Sequence, residues 1–219
     1  MNKVISKCVI STLCVIIVGI GASLALKAAV GVGAWDALSQ SISSGVFIKV
    51  GTISMFLNVS CVLIQLVLLK KEFNLLHAAQ ILVAILLGIV VNFMLYDVFS
   101  AFIISNYFIN IGLLLLGLVL CAIGVSVIMA LDFISFPLEG ACMVISKKLD
   151  KKFGMIRQLV DILSIIFALG FAFIFNQSIT VREGTVIGML IYGPMLDLFM
   201  KIIIPRLEQL NLVYQKISE

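Results

Sequence analysis

Residues 107–131 read YFINIGLLLLGLVLCAIGVSVIMAL, twenty-five positions without one charged side chain. As an α-helix, at about 1.5 Å of rise per residue, such a run is long enough to cross the ~30 Å hydrocarbon core of a bilayer. A helix packed on a water-soluble domain would carry a polar face. This one carries none, so it reads as a membrane span. Outward from it, runs of the same kind cover roughly 5–26, 51–70, 77–98, 155–176 and 185–204, giving six spans in 219 residues.

Composition agrees. The chain is 63% hydrophobic and 12% charged, whereas a soluble domain carries about 25% charged residues. A single small globule cannot hide that much apolar surface, so it faces lipid. A β-barrel is disfavoured, because its strands alternate over short segments and these runs are continuously apolar.

The basic residues set the orientation. One side of the six spans receives Lys3, Lys7, Lys70, Lys71, Lys147, Lys148, Lys151, Lys152, Arg157, Lys201, Arg206 and Lys216; the other receives Lys27, Lys49 and Arg182. Positive residues beside spans stay in the cytoplasm, so twelve against three places both termini there. The net charge of +4 is scattered over loops and predicts no nucleic-acid surface. Lys3 and Lys7 ahead of Val9–Leu26 imitate a secretion signal, but the apolar run is too long for one and is expected to remain as the first helix. The tail from Arg206 to Glu219 reads as a polar helical extension. Cys8, Cys14, Cys61, Cys121 and Cys142 are odd in number and lack C-x-x-C spacing, so they read as small buried hydrophobes.

Two connections are not ordinary loops. Residues 27–50 (KAAVGVGAWDALSQSISSGVFIKV) and 132–153 (DFISFPLEGACMVISKKLDKKF) are long, partly apolar and marked by Gly or Pro. Each is expected to hold a short amphipathic or re-entrant helix, starting near Ala34 and near Pro137, since proline suits a helix's first turn. Irregular backbone at membrane depth is tolerated only under protein or water.

Sliding the chain on itself by 103 residues aligns Gly21 with Gly124, Ser23 with Ser126, Asp36 with Glu139, Gly51 with Gly154 and Asn58 with Asp161. With a shift of 100, Gly88 meets Gly188, and Asp97-Val98-Phe99 meets Asp197-Leu198-Phe199. Coincidences at rare intramembrane glycines and polar side chains predict a duplication: residues 1–104 and 105–219, three spans each. An odd number of spans makes the second unit enter from the opposite side. The expected fold is an all-α polytopic membrane protein of six transmembrane helices in two inverted three-helix repeats, an architecture common among secondary transporters.

The polar residues within this frame are the candidate solute or ion pathway. Asn58 and Asp161 each fall about a third of the way into a span. A carboxylate there is costly unless it is paired, protonated or wet. Arg157 lies one helical turn before Asp161, so the two read either as a structural ion pair or as cavity-lining groups that respond to protons or cations. Asp36 and Glu139 fall in the first turns of the short helices, where acids complement the helix dipole and could equally face a ligand. Asp97 and Asp197 are expected to cap span ends, and Trp35 to sit at the membrane interface. His77 is read as an ordinary interfacial residue. Gly19, Gly21, Gly112, Gly117 and Gly124 are expected to pack helices closely. No zinc-protease, phosphate-loop or serine-hydrolase motif is present, so neither enzyme chemistry nor a cofactor or metal is expected.

The first half carries Gly21-x-x-Leu24, Gly31-x-x-x-Trp35-Asp36 and Gly51-Thr52; the second carries Pro137-Leu138-Glu139-Gly140, Gly154-x-x-Arg157-x-x-x-Asp161, Gly184-Thr185 and Gly193-Pro194. In these motifs the chain resembles the YczE/YitT-type bacterial integral membrane proteins, closest to the YczE branch. Leu138-Glu139 departs from the Arg-Asp frequent there. The resemblance implies a multi-pass bacterial plasma-membrane protein and supplies no substrate. The architecture points to a secondary transporter or exporter of a small solute, with proton or cation coupling suggested by the excess of acids. The alternatives are a non-transporting accessory or regulatory subunit of a membrane complex, and the substrate-binding subunit of an importer. Partners expected are the lipid bilayer, the solute, and a second copy or another membrane protein.

Overall fold

The computed structural model describes residues 3–102, 104, 106–210 and 212, and among these the chain forms helices and no strand. The helices are α1 (Lys3–Ala28), α2 (Ala34–Val46), α3 (Val50–Leu69), α4 (Leu75–Phe93), α5 (Tyr107–Leu131), α6 (Pro137–Leu149), α7 (Phe153–Ile174) and α8 (Glu183–Gln209). A 3₁₀ turn, Lys70–Glu72, extends α3, and a π-helical turn, Met94–Val98, extends α4. Six helices are long and apolar enough to cross a membrane: all except α2 and α6. The chain is an integral, multi-pass membrane protein. The spans fall where composition puts them, except that α8 runs past 204 to Gln209 and takes Pro194 and Pro205 into its interior. The tail beyond Leu212 lies outside the described residues.

Large apolar side chains point outward, as lipid requires: Phe173 is 90% exposed and Phe108 is 83% exposed. The interior is built from smaller groups, and α1 and α5 form its central pair. A Cβ at Gly21 would stand 2.7 Å from the Gly117 carbonyl oxygen and 2.9 Å from Cys121 Sγ. One at Gly124 would stand 2.6 Å from Val18 and 3.0 Å from the Cys14 carbonyl oxygen. With a shift of 103 these are the same two contacts, helices exchanged, and they require α1 and α5 to run antiparallel. Backbones in lipid approach this closely only where side chains are absent or small. Gly112 is the exception among the glycines expected to pack, since no atom lies within 4 Å of its missing side chain. Lys7 Nζ donates to the Leu131 carbonyl, 3.0 Å away, placing a cation on the unsatisfied C-terminal end of α5.

The two short helices cross over. α2 packs chiefly on α7, and α6 on α3, so each half lends its short helix to the other. Both are held at their first turns. Gly31 adopts φ +114°, and a side chain there would run into the Thr185 backbone nitrogen at 2.6 Å. The tight loop it allows lets Gly184 N–H donate to the Val30 carbonyl (2.9 Å) and Val32 N–H to Thr185 Oγ1 (3.2 Å). On the other side, Gln65 Nε2 donates to Gln80 Oε1 (2.7 Å) and to the Pro137 carbonyl (3.1 Å), and Gln80 Nε2 to Ser135 Oγ (3.1 Å). Both glutamines are buried, and each fully buried amide must find such partners.

Thr185 therefore does for α2 what Gln80 does for α6, and these two residues stand 105 positions apart. With that shift Gly88 matches Gly193, and Asn92 matches Asp197. The similar triplets at Asp97 and Asp197 sit in different settings: Asp97 lies in the π turn beyond α4, whereas Asp197 sits in mid-α8. Asp197 consequently does not end its span, contrary to the expectation for it.

The two halves differ at one seam. Between α3 and α4, a Cβ at Gly88 would stand 2.5 Å from the Gly51 carbonyl oxygen. Gly51 N–H donates to Asn92 Oδ1 (2.9 Å), and Asn92 Nδ2 to Thr52 Oγ1 (3.0 Å). Asn92 thus satisfies a donor in the first turn of α3, where no helical acceptor exists. The corresponding residues of α7 and α8 stand apart: neither Gly154 nor Gly193 has any atom within 4 Å of a would-be Cβ.

Candidate functional site

A cavity of about 110 Å³ lies where the halves meet. It is far smaller than the ~300–1,000 Å³ of drug-sized sites, and so suits water, ions or a solute of few atoms. Asp36, Asn58, Glu139, Arg157 and Asp161, the five residues singled out from the sequence, all line it.

Local structure explains each position. Asp36 and Glu139 occupy the third residue of α2 and of α6, where the helix dipole favours an anion. Phe136 is extended ahead of Pro137, and Gly33 is extended ahead of Ala34, so each short helix turns inward and carries its acid to the centre. Asn58 projects from α3, with Nδ2 donating back to the Ser54 carbonyl (2.9 Å) and facing Ser54 Oγ at 3.4 Å. On α7, Arg157 Nη1 donates to Asp161 Oδ1. With a shift of 103, Ser54 falls on Arg157 and Asn58 on Asp161: one i,i+4 pair, neutral in the first half and charged in the second.

Arg157 also reaches Glu139, with Nε 3.7 Å from Oε1, both side chains being largely buried. A guanidinium and two carboxylates out of water are tolerable because each offsets the others' desolvation. Asp36 is different. Among the described residues its carboxylate has neither a hydrogen-bond nor an ion-pair partner, and no capping bond forms at the start of α2. Among the described residues Trp35 Nε1 and Arg157 Nε are likewise buried without a hydrogen-bond partner. The site thus contains three carboxylates and one guanidinium, edged by the aromatic rings of Trp35 and Tyr192 and by small apolar groups of α1 and α5.

Two assignments change here. Trp35 packs among the buried apolar residues of the core and lines the cavity, instead of marking the interface, because α2 turns inward at Ala34. Ser54 and Tyr192 belong to the site although the sequence reading passed over them. The 103 shift carried a signal for Ser54, placing it on Arg157. Of the remaining expectations, Cys14, Cys61 and Cys142 are buried, Cys121 is partly buried and Cys8 is exposed on α1. His77 Nδ1 accepts from Asn74 N–H at the start of α4, a capping contact. Among the described residues no three of His, Cys, Asp and Glu come together as a metal site.

Residues 5–201 match the family model described as a family of unknown function, DUF6198. The chain belongs to that family. It is also 24% identical over 189 residues to YyaS, an uncharacterized protein of Bacillus subtilis (strain 168), covering 86% of this chain and 90% of the relative. No solved structure matches the chain. The DUF6198 match takes in α1 through most of α8, and so every residue of the cavity.

Proposed function

We propose that the chain is a secondary transporter of a small solute in a bacterial plasma membrane, with both termini cytoplasmic and no enzymatic role. Residues 1–104 and 105–219 are its inverted repeats, and the likeness of their motifs to YczE/YitT-type proteins is part of this reading. The observation that carries it is a cavity between the halves that gathers polar side chains of the spans and short helices and whose lining comes in equivalent pairs: Val18 with Cys121, Asp36 with Glu139, Ser54 with Arg157, Asn58 with Asp161 and, by the 105 shift, Leu87 with Tyr192. A central site shared by two oppositely facing repeats is what alternating access needs.

The unequal seams support a state. Counting from the cytoplasmic start of α1, α3 begins outside and α7 begins inside. The Gly51–Gly88 seam then closes the outer half of the protein, while the Gly154–Gly193 seam stands open inside. The arrangement is inward-facing. In the opposite state Gly154 would meet Gly193, Asp197 would accept from the first turn of α7 as Asn92 does from α3, and the outer seam would part. Pro194 gives α8 a weak point for that movement, since it removes one helical N–H beside Gly193.

The test is uptake by the full chain in liposomes, using radiolabelled amines, amino acids and carboxylic acids together with a pH-sensitive dye inside. Solute-dependent flux or proton movement, reduced about ten-fold by Asp161→Asn, is expected. Absence of both ends the transport assignment. The bare faces of Gly154 and Gly170 on α7 favour one other reading, an accessory subunit docked there. A stoichiometric membrane partner recovered in mild detergent, with no flux, would support it.

A further inference from the structure

Resting on the reading of the central cavity as the solute site, we infer that its solute is a small organic ammonium ion. The charge is the first reason. Arg157 is committed to Asp161 and lies beside Glu139, so the one cation that lines the site among the described residues already faces two anions. Asp36 is the carboxylate left over. An anionic solute would have to compete with Asp161 and Glu139 for the guanidinium while approaching Asp36, and like charges in a poorly hydrated site repel strongly.

The free acceptors are the second reason. Asn58 is 4% exposed. Its Nδ2 is used on Ser54, and among the described residues its Oδ1 receives no donor. That oxygen and the Asp36 carboxylate are both acceptors on the cavity wall, and an ammonium group offers three donors and no acceptor.

The rest of the lining is the third reason. Trp35 and Tyr192 present aromatic rings, whose faces attract cations and are worth more when water is excluded. Ala22, Ala25 and Val125 supply a dry surface for a short hydrocarbon chain. A bare divalent metal ion fits less well, since hard cations demand six or more oxygens, whereas two of the three carboxylates here are already paired with Arg157. With a shift of 103, Asp36 and Asn58 fall on Glu139 and Asp161, the two acids that Arg157 neutralises. The second repeat carries its own cation, and the first leaves a place for one from outside.

The experiment compares three probes of one shape: n-butylammonium, n-butanol and butyrate, titrated calorimetrically into the full chain in lipid nanodiscs. Butylammonium should bind about ten-fold or more tightly than butanol, the value of one charge-assisted hydrogen bond, and butyrate should not bind. Asp36→Asn should remove the preference for the cation. Asn58→Asp, which adds a second carboxylate beside the ammonium, should tighten butylammonium several-fold, a gain that misfolding does not imitate. The inference is overturned if butyrate binds as well as butylammonium, if none of the three binds, or if neither variant changes the order. Flux of butylammonium into liposomes separates the two readings. Binding without flux removes transport and leaves the cation site standing; flux of neutral or acidic solutes with no ammonium binding does the reverse.

Discussion

Asn92 of α4 accepts a hydrogen bond from the Gly51 N–H of α3 at 2.9 Å, and its counterpart in the second half, Asp197, has no such bond to α7 among the described residues. This one difference separates a shut seam from an open one, and it makes Asn92 a latch. Asn92→Ala should cost about 1 kcal/mol of stability, in the range of interhelical hydrogen bonds in membranes. It should also raise the alkylation rate of a cysteine placed at Thr52. A variant with unchanged melting and unchanged alkylation would show that the contact latches nothing.

Glycines at equivalent places should tolerate side chains unequally. A Cβ at Gly51 would meet Asn92 Oδ1 at 2.7 Å, whereas one at Gly154 would meet nothing within 4 Å. Gly51→Leu should therefore destabilise the protein by about 1–3 kcal/mol through overpacking, measured as thermal unfolding in detergent. Gly154→Leu should leave melting nearly unchanged yet abolish flux, because the bulk prevents the inner seam from shutting. Equal melting losses at both sites would contradict the asymmetry.

The movement itself has a direct readout. Lys152 and Lys201 are exposed at the start of α7 and in the last third of α8, so spin labels on Lys152→Cys and Lys201→Cys should not disturb packing. If the chain transports as proposed, saturating it with butylammonium should add a shorter-distance population as the Gly154–Gly193 seam closes. Labels on Lys49→Cys and Tyr96→Cys, across the outer seam, should move the opposite way. Changes of the same sign in both pairs would rule out alternation.

The charged pair can be rewritten as its neutral twin. Arg157→Ser alone strands Glu139 and Asp161 without their cation and should cost on the order of 3–5 kcal/mol. Adding Asp161→Asn reproduces the Ser54–Asn58 pair and should recover part of that loss, so the two changes are non-additive. Thermal unfolding of the two single variants and the double variant measures the coupling; strict additivity would mean that Arg157 and Asp161 do not interact in the native state.

Orientation is testable without any substrate. Phe47, 90% exposed between α2 and α3, and Lys148, exposed at the end of α6, should lie on opposite faces of the membrane. An impermeant maleimide should label Phe47→Cys in intact cells and Lys148→Cys only after permeabilisation. Labelling of both from one side would dismantle the inverted arrangement.

What the sequence settled by itself is a matter of solvent and period. Runs such as 107–131 can satisfy their backbone only as helices in lipid. Equal spacing of scarce polar groups marked Asp36, Asn58, Glu139 and Asp161, and the one-turn step to Asp161 marked Arg157, because polar side chains in such apolar runs are rare enough to be conspicuous. Other features required the tertiary structure. Trp35 became a cavity residue once α2 turned inward at Ala34. Tyr192 joined the site through a 105-residue register that Thr185 and Gln80 define in space and that the matching triplets at Asp97 and Asp197 obscured. The seams were invisible in sequence for a simpler reason. Gly51 and Gly154 are the same residue type 103 positions apart, each opening a span, and only the packing of neighbouring helices decides which of them is covered.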